Sequence, residues 1–435
     1  FFILFYCWNF YKIKKLKKVL IVTYYWPPAG GPGVQRWLKF ANNLTDFDIK
    51  PYVLVPKEPN YAIIDNSLEN EISSKIHVIS HPIFEISDFL PFKNYFNSFR
   101  SGNINQINDQ SFFEKILFFL RGNLFIPDLK IFWRNKAVKF LKKYFNKNKF
   151  DTIITTGPPH SIHLIGLDIK REFDINWIAD FRDPWIMLNS NKKFHFSSQT
   201  KSKHLKLRNL VLQNANKVIV TSDKLKNYYG KLTNNIVKIT NGYDRINLKY
   251  DLDKNFTITH VGSLYPDRNP DILWEVLESM CNDIQGFEDY LKLQLIGNID
   301  KKIEKHLSLS KFAKCISFKG YIAKKDTYSY IFSSQLLLMV ESVENVMSYV
   351  IPAKFFNYLF SKRPIIAIGP SDSEIEHIMN NLKCGNYFTG DQKEALYNYL
   401  KVCYEKFLKN DLKSGQFSAE KYDRKNLTKK LVKLI

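Results

Sequence analysis

Short apolar stretches rich in β-branched residues alternate along this chain with segments in which apolar residues recur at helical spacing. The first pattern predicts buried strands and the second predicts amphipathic helices, and their alternation indicates parallel α/β sheets. In the first half, strands are predicted at 19–23, 52–55, 152–156, 177–181 and 218–221, and helices at 34–44, 136–145 and 161–173. In the second half, strands are predicted at 256–261, 293–296, 316–318, 336–340 and 365–368, and helices at 271–281, 301–309, 324–332, 353–360 and 393–407.

These elements group into two domains, because 435 residues are too many for one ordinary core. We predict an α/β fold of two Rossmann-like, doubly wound domains that face each other across a cleft. Residues 18–240 form the first domain, the polar segment 241–255 is a linker, and 256–410 form the second domain. Residues 411–435 are expected to form a helix that can cross back to the first domain. The aromatic-rich stretch 57–130 is expected to hold an insertion with helices.

The chain contains 64 Lys and Arg residues against 42 Asp and Glu residues, a formal net charge of +22. Such a charge favours anionic partners, namely nucleotide diphosphates, lipid-linked phosphates, anionic membrane surfaces or nucleic acid. A lysine-rich proteome would produce part of the same excess. Nucleic acid is the weakest interpretation, because the lysines are scattered and no binding module is recognisable. The five cysteines form no CxxC pair, which fits a reducing cytoplasm and argues against a disulfide framework or a zinc site.

The N-terminal tail, residues 1–17, begins with an almost wholly apolar stretch at 1–11, and five lysines follow within 12–18. An apolar run of this length is too short to span a bilayer alone, for which about 20 residues are needed. The order of the apolar and basic parts is also opposite to that of a signal peptide. Two alternatives remain: an interfacial anchor on anionic lipid, or a stretch that is not a genuine part of the folded protein.

Glycines cluster where the first predicted strand meets its helix. Gly30, Gly31 and Gly33 lie in VLIVTYYWPPAGGPGVQR, directly before the helical pattern. Glycine lets the main chain approach a phosphate or a sugar closely, and N–H groups at a helix start favour an anion. The spacing is not GxGxxG, so a dinucleotide site of the Rossmann type is disfavoured. A plain tight turn is the structural alternative.

Charged and polar residues follow two further predicted strands of the first half. Asp180, Arg182 and Asp183 lie at the end of one strand, where a guanidinium flanked by carboxylates can bind sugar hydroxyls or a phosphate. His160 follows the other strand, in TGPPHS, and can contact the acceptor or the leaving group. The alternatives are an Arg–Asp pair that braces a turn, and a histidine that merely belongs to a loop.

The second half offers a site for a diphosphate. Gly262 ends a predicted strand and Arg268 follows in VGSLYPDRNP, so that close main chain and a cation are both available. The helix in IPAKFFNYL begins with Ala353 and Lys354, where helix-start amides and an ammonium group can hold a diphosphate. A surface arginine in a turn is the alternative for Arg268.

Together these segments resemble family 4 glycosyltransferases, in particular bacterial members that build surface polysaccharides. The resemblance extends over roughly 18–410. It rests on PPAGGPGVQR, DTIITTGPPHSIHLIGLDIKREFDINWIADFRDPW, KVIVTSDKLKNYY, VKITNGYD, THVGSLYPDRNPDIL, LQLIGN, ISFKGYI and IPAKFFNYLFSKRPIIAIGP. It implies a GT-B fold with a nucleotide-sugar donor on the second domain and a saccharide or lipid-linked saccharide acceptor on the first. It also implies retention of the anomeric configuration without a required metal.

The resemblance further implies roles for individual residues. Asp180, Arg182, Asp183 and Arg268 are the candidate catalytic residues, and His160 lies on the acceptor side. The residues implied to hold the donor or its phosphates are Gly30, Gly31, Gly33, Gly262, Ser263, Arg268, Tyr321, Ala353, Lys354 and Asn357.

Two of these positions depart from the family pattern. Ser263 stands where members usually have the first of two cations, and Asn357 stands where they usually have a glutamate. Glu341 and Glu344 can serve the donor sugar instead, with solvated loop charges as the alternative. Tyr321 is assigned to the nucleotide base, with simple packing as the alternative.

The predicted function is therefore a retaining, metal-independent sugar transfer in cell-envelope polysaccharide synthesis. The nucleotide sugar is a substrate, so no cofactor is expected. The expected location is the cytoplasm, peripheral at the inner face of the plasma membrane. The alternatives are a non-catalytic GT-B binding or scaffold protein, and a nucleotide-sugar epimerase or hydrolase of the same architecture. The DxD pair Asp251 and Asp253 is interpreted as solvated linker charge, because no strand precedes it.

Overall fold

The computed structural model describes residues 16–85, 112–185, 194–247, 250–342, 349–413 and 415–435. The strands of the first half are β1 (Lys17–Val22), β2 (Ile49–Lys57), β3 (His77–Pro82), β4 (Thr152–Gly157), β5 (Asn176–Phe181), β6 (Lys217–Val220) and β7 (Ile236–Lys238). Those of the second half are β8 (Phe256–Val261), β9 (Leu291–Ile296), β10 (Ile316–Gly320), β11 (Leu336–Val340), β12 (Ile365–Ile368) and β13 (Gly385–Phe388).

Helices lie between the strands. Those of the first half are α1 (Pro32–Leu44), α2 (Phe112–Leu124), α3 (Ile131–Lys147), α4 (Ser161–Glu172), α5 (Ser198–Asn214) and α6 (Asp223–Gly230). Those that follow are α7 (Asp271–Asp283), α8 (Phe287–Tyr290), α9 (Lys301–Ser308), α10 (Lys324–Ser333), α11 (Ala353–Ser361), α12 (Glu374–Leu382), α13 (Lys393–Leu408) and α14 (Arg424–Val432).

The strands form two parallel sheets. Within the described residues the first has seven strands in the order β3-β2-β1-β4-β5-β6-β7, and the second has six in the order β10-β9-β8-β11-β12-β13. In each sheet the strand order reverses direction beside the first strand of the domain, which is β1 or β8. The sequence prediction of two doubly wound α/β domains is confirmed. This topology directs the carboxyl ends of all the strands in a sheet to one edge, where such folds bind ligands.

Three strands and four helices were not predicted from the sequence. The strands β3, β7 and β13 all lie at sheet edges. An edge strand has a neighbour on one side only, so its side chains are less uniformly apolar and its sequence pattern is weak. The unpredicted helices are α5, α6, α8 and α12. The longest of them, α5, buries only a few residues, among them Val211 and Leu212. Most of its sequence is therefore polar, and its helical apolar pattern is weak.

Alternate residues of a central strand support opposite faces of the first sheet. Leu20 and Val22 of β1 belong to a core shared with α3 and α4, whereas Val19 and Ile21 belong to a core shared with α1. The strand is therefore apolar at successive positions, as expected when helices cover both faces of a parallel sheet. This packing fixes the strand ends that form the candidate site.

The chain crosses between the domains twice. It leaves the first domain through the segment after β7 and returns with α14, whose Leu427 and Leu431 join the core under α1. The two crossings are paired, because the Tyr243 amide donates to the Tyr422 carbonyl at 3.1 Å. The helix predicted at 411–435 is shorter than expected, since α14 begins only at Arg424.

Some predictions fall outside the described residues. These are the tail up to residue 15, the part of the predicted insertion at 86–111, and Glu344. Within the part of the chain that the structure describes, no helix combines the length and the apolar character needed to cross a membrane.

Candidate functional site at the strand ends

Glycines with positive φ end three adjacent strands of the second sheet. Gly262 follows β8 (φ 128°), Gly297 follows β9 (φ 128°) and Gly320 ends β10 (φ 60°). They are tightly joined, because the Gly297 amide donates to the Gly320 carbonyl at 2.7 Å and a Cβ at Gly297 would lie 2.4 Å from the Gly262 carbonyl oxygen. The left-handed backbone and this close approach both require glycine. The result is a shelf of bare main chain at the carboxyl edge of the sheet.

Lys354 reaches over this shelf from the first turn of α11. A Cβ at Gly262 would lie 2.8 Å from Nζ of Lys354, so the glycine makes room for the ammonium group. On its other side, Nζ lies 3.3 Å from Nε2 of the buried His260. Because Nδ1 of His260 lies 3.1 Å from the Leu338 carbonyl oxygen and must donate to it, Nε2 is left as an acceptor. Burial and, to a smaller extent, the positive charge of Arg268 together lower the pKa of Lys354 to about 7.

Arg268 forms the second cation of this site, in the short helical turn Pro266–Arg268. Its Nη2 lies 3.4 Å from Asp267 and its guanidinium stands 5.9 Å from the ring centre of Tyr265. Within the described residues, its buried Nε has no hydrogen-bond partner. Arg268 and Lys354 repel each other electrostatically, and the arrangement suits an anion placed between them.

The other residues predicted for the donor lie around the same edge. Ser263 follows Gly262 directly and is half-buried. Ala353 and Asn357 are separated by one turn of α11, so they share a helix face, and both are half-buried. Tyr321 follows Gly320 and is 76% exposed, which excludes the packing alternative and leaves its ring free for a ligand.

Glu341, at the end of β11, is buried and accepts a hydrogen bond from the Tyr387 hydroxyl at 2.8 Å. Burial raises the pKa of this carboxyl group to about 7, although hydrogen bonds from Ser373 and Tyr387 oppose the shift. The side chain is therefore not the solvated loop charge that was the alternative at this position.

The three glycines of the first domain differ in their surroundings. Gly30 packs on Ile63, since a Cβ there would lie 2.8 Å from the Ile63 side chain. Gly31 has a φ of 98° and open space around it, because an added Cβ would meet nothing within 4 Å. Gly33 lies against Arg182, whose Nη1 is only 1.7 Å from the place a Cβ would take. Only Gly31 thus offers main chain to a ligand directly, whereas Gly30 and Gly33 make room for neighbouring side chains.

Arg182 is held by main-chain carbonyls where β5 ends. Its Nε donates to Gly157 at 3.3 Å and its Nη2 donates to Pro158. Burial lowers the pKa of Arg182, although the nearby carboxylates of Asp183 and Asp180 oppose this shift. Burial likewise raises the pKa of Asp183, against the effect of Arg182. The predicted trio therefore lies together, in surroundings of low polarity.

Asp180 is saturated by partners within the protein. Arg36 of α1 donates to it from Nη2 at 2.8 Å and from Nε at 3.2 Å. The indole of Trp37 and the hydroxyl of Thr156 donate to the same carboxylate at 2.7 and 3.0 Å. Both Arg36 and Asp180 are almost completely buried. This geometry matches the alternative of a structural Arg–Asp pair, although the partner is Arg36 and not Arg182.

His160 is stacked on Trp185, with ring centres 4.7 Å apart and the planes inclined by 10°. Burial lowers its pKa well below the ordinary value, so the imidazole is neutral at physiological pH. Its buried Nδ1 has no hydrogen-bond partner among the described residues. The next residue, Ser161, donates to Asp128 from its amide at 2.9 Å and from its hydroxyl at 2.7 Å, which fixes the loop.

The two halves of the site approach each other through α1. Gln35, two residues after Gly33, accepts a hydrogen bond from Nζ of Lys324 at the start of α10, at 2.9 Å. Burial lowers the pKa of Lys324 to about 8. A cavity of about 360 Å³ lies at this contact, lined by residues of both domains. Helix α1, which begins directly after Gly31, therefore faces the second domain.

Several of these residues were not anticipated from the sequence. They are Arg36, His260, Gln35 and Lys324. Arg36 was the easiest of them to anticipate, because VQRW places a cation within an apolar helical pattern, where only a buried partner makes it tolerable.

Asp253 of the DxD pair binds Lys292 at 2.6 Å. In the described ranges, no group of three or more His, Cys, Asp or Glu residues is arranged to hold a metal ion.

Comparison with known proteins identifies the architecture. No protein-family model matches the chain, and no curated protein matches it in sequence. Solved structures do match it over 96% of its length. They include sucrose-phosphate synthase from Thermosynechococcus elongatus (13% identity, TM-score 0.61, 98% of that chain), TarM (14%, 0.61, 98%) and WaaG, a glycosyltransferase involved in lipopolysaccharide biosynthesis (11%, 0.56, 99%).

A UDP-N-acetylglucosamine 2-epimerase is also similar, with 10% identity and a TM-score of 0.51 over 96% of this chain and 95% of the epimerase. Transferases and an epimerase thus share this arrangement of two domains. At such low identities the similarity shows the fold alone. The chain has the GT-B fold.

Proposed function

We propose that the chain is a metal-independent, retaining glycosyltransferase that moves a sugar from a nucleotide sugar to a saccharide or lipid-linked saccharide. We further propose that it acts in cell-envelope polysaccharide synthesis, at the inner face of the plasma membrane. The observation that supports this best is the placement of Lys354 over the glycine shelf, with Arg268 near enough for its charge to lower the pKa of Lys354. Two cations beside bare main chain at a strand edge suit a diphosphate.

The structural neighbours support the same donor class. A mutant of S. aureus TarM was solved in complex with Fondaparinux, alpha-GlcNAc-glycerol and UDP, so that protein holds a nucleotide and a glycoside. In this chain we assign the nucleotide diphosphate to the second domain. Tyr321 is available for the base, and Ala353 and Asn357 extend the same helix face toward the sugar.

In the proposed reaction the bond between the anomeric carbon and the diphosphate oxygen breaks as the acceptor hydroxyl forms the new glycosidic bond on the same face. Lys354, Arg268 and the α11 amides stabilise the negative charge that develops on the departing diphosphate. The acceptor proton passes to that leaving group, so no protein base is required. Closure about the Gln35–Lys324 contact brings the acceptor to the donor and excludes water.

The first experiment is a screen of UDP-, GDP- and dTDP-sugars for thermal stabilisation of the full chain. We expect one base class to stabilise it, because binding to the folded state alone raises the melting temperature. The Arg268→Ala variant should then bind that nucleotide sugar at least about 10-fold more weakly with the fold intact, since a charge-assisted hydrogen bond is lost. Arg171→Ala, at an exposed position of α4, is the matched control. Unchanged stabilisation in Arg268→Ala would remove this residue from the site.

Two alternatives are separated by a product assay. The epimerase-like neighbour makes an epimerase or hydrolase the second candidate. An assay that resolves transferred sugar, free sugar and epimerised donor distinguishes these reactions. Failure of all the nucleotide sugars to bind would instead favour a non-catalytic scaffold, in keeping with the departures at Ser263 and Asn357. Activity that survives chelation by EDTA would support the metal-independent form of the reaction.

A further inference from the structure

Two histidines meet beside Gly157, the last residue of β4, and each has one ring nitrogen without a partner. A Cβ at Gly157 would lie 2.6 Å from Nε2 of His163 and 3.0 Å from Nδ1 of His160. Both nitrogens are buried, and neither has a hydrogen-bond partner among the described residues. Buried polar atoms are normally hydrogen-bonded, so two unpaired nitrogens that face one point are exceptional.

Aromatic stacking holds both rings in place. His163 is fully buried and lies on Phe181, with ring centres 4.5 Å apart and planes inclined by 10°. His160 is stacked on Trp185 in the same way. The centres of the two imidazole rings are 5.9 Å apart. Each ring nitrogen lies about 1.1 Å from its ring centre, so a displacement on the order of 1 Å brings the two facing nitrogens within hydrogen-bond distance.

Thr155 of β4 determines which nitrogen of His163 carries the hydrogen. The indole N–H of Trp177 donates to Oγ1 of Thr155 at 2.9 Å. The same oxygen lies 3.0 Å from Nδ1 of His163. Thr155 is fully buried, and among its described contacts Nδ1 is the acceptor for its hydroxyl hydrogen. The hydrogen of the His163 ring therefore lies on Nε2, the nitrogen that faces His160.

Both rings are neutral at physiological pH. Burial lowers the pKa of His163 to about 3 and that of His160 well below its ordinary value, and the nearby charge of Arg182 acts in the same direction. Each ring therefore carries one hydrogen. If Nε2–H of His163 donates to Nδ1 of His160, the hydrogen of His160 must lie on its other nitrogen.

We propose that His163 is a positioning residue that acts through His160. Its Nε2–H donates to Nδ1 of His160 and keeps the hydrogen of His160 on Nε2. Thr155 and Trp177 complete the chain of donors behind it. His160 is half-buried, so the other edge of its ring is accessible. At that edge His160 offers a hydrogen-bond donor and has no lone pair that could accept a proton.

The link to catalysis rests on the proposed function, in which His160 is assigned to the acceptor side. There, an N–H group binds an oxygen that has a free lone pair, such as that of a sugar hydroxyl. The same group cannot act as the base for that hydroxyl. This agrees with a reaction in which the acceptor proton passes to the leaving diphosphate. His160 would then orient the acceptor oxygen without taking its proton.

The first test measures the hydrogen positions in the full chain without any substrate. The histidines are labelled with nitrogen-15, and the two rings are assigned in NMR spectra by the loss of signals in His160→Gln and His163→Leu. We expect both rings to carry their hydrogen on Nε2. We also expect a scalar coupling between Nε2 of His163 and Nδ1 of His160. Absence of this coupling, or a hydrogen on Nδ1 of either ring, would overturn the proposal.

The second test uses diethyl pyrocarbonate, which reacts with an unprotonated imidazole nitrogen. In the wild type, the lone pair of His160 is directed at His163, so His160 should react more slowly than the exposed His306. The variant His163→Leu removes the donor. Modification of His160 should then become about 5-fold faster, the factor that corresponds to one hydrogen bond. Mass spectrometry of the peptides measures both rates.

Two further variants separate positioning from packing. His163→Gln restores an N–H donor at the place of Nε2, so the rate should return to within about 2-fold of the wild type. Ile162→Val removes a buried methyl group from the adjacent position of α4 and should leave the rate unchanged. Urea denaturation identifies variants that no longer fold. If His163→Leu is among them, Gly157→Ala replaces it, because its methyl group lies between the two nitrogens and should accelerate the reaction by a similar factor.

Equal rates in His163→Leu and His163→Gln would assign only a packing role to His163 and would contradict the proposal. An equal acceleration in Ile162→Val would do the same. Absence of sugar transfer would instead contradict the proposed function. The hydrogen positions and the modification rates would still decide whether His163 positions His160.

Discussion

The strand ends of the two domains both gather charged side chains, but they treat those charges differently. In the first domain, the charges are matched internally. Arg36 and Asp180 neutralise each other, and carbonyl oxygens hold Arg182. In the second domain, Lys354 and Arg268 lie near each other, and the only carboxylate paired with either among the described residues is Asp267, at 3.4 Å from Arg268.

This difference distinguishes charges that stabilise the fold from charges that are available to bind a ligand. A buried ion pair with complete hydrogen bonding holds elements together and has little capacity left for a substrate. Two neighbouring cations with few carboxylates around them repel each other, and a bound anion relieves this repulsion. By this criterion Asp180 belongs to the architecture, whereas Lys354 and Arg268 form the candidate diphosphate site.

The largest expected effect comes from breaking the first-domain pair. Asp180→Ala leaves the Arg36 guanidinium buried without a counter-charge, which should lower the free energy of unfolding by about 3–5 kcal/mol. Urea denaturation measures this loss. Asp174→Ala, at an exposed position just before the same strand, is the matched control and should change stability by less than about 1 kcal/mol. A stable Asp180→Ala protein that has lost only activity would return this residue to the catalytic group.

The next effect concerns the second-domain cations. Lys354→Met keeps much of the side-chain volume and removes the charge, so nucleotide-sugar affinity should fall about 30-fold through loss of a charge-assisted hydrogen bond of roughly 2 kcal/mol. Urea denaturation should show an undiminished free energy of unfolding, because the ammonium has no carboxylate partner among the residues that the structure describes. Lys301→Met, at the exposed first residue of α9, provides the comparison. Equal affinities in the two variants would contradict the assignment.

A smaller effect appears as a function of pH. With a pKa of about 7, Lys354 is mostly neutral at pH 8 in the free protein, and binding of a diphosphate requires its proton. Complex formation should therefore take up about 0.9 proton at pH 8 and about 0.1 at pH 6, and affinity should fall about 5-fold from pH 7 to pH 8. Arg268 and His260 are the titratable groups that face the ammonium, and burial keeps His260 neutral in this range.

Calorimetry in buffers of different ionisation enthalpy measures this proton uptake, and Lys354→Met should abolish it. The free energy of unfolding depends on pH in the opposite direction to the affinity for the nucleotide sugar. The unfolded chain keeps this proton up to the ordinary lysine pKa of 10.5, whereas the folded chain releases it at about 7. The contribution of Lys354 to stability therefore rises with pH between those values and falls as the pH decreases through them. Release of a proton when the nucleotide sugar binds would contradict the lowered pKa of Lys354 in the free protein.

The sequence predicted the parts of this arrangement that depend on topology. Gly262 and Lys354 are far apart in the chain, yet both lie at carboxyl edges of parallel strands, and that alone places them together. What the sequence did not reveal depends on side-chain register. His260 accepts from Lys354 only because β8 points this residue toward the start of α11. Asp180 and Arg182 are two residues apart, and the first is enclosed while the second lies against Gly33.

The edge strands were missed for a related reason. β3 and β13 have mixed polar and apolar residues, so the alternation that identifies a buried strand is weak there. The roles assigned to individual residues by family resemblance stay predictions until ligand binding is measured. The structure changes their relative weight, since Tyr321 is open to solvent while Asp180 is fully engaged.

The return of α14 to the first domain has a consequence for how the protein is made. Leu427 and Leu431 complete a core that begins with Val19 and Ile21, although the whole second domain is synthesised between them. A ribosome therefore exposes a first domain with an unfilled groove beside α1 until almost the entire polypeptide has emerged. Premature termination before α14 would leave the second domain essentially complete and impair the one that was translated first.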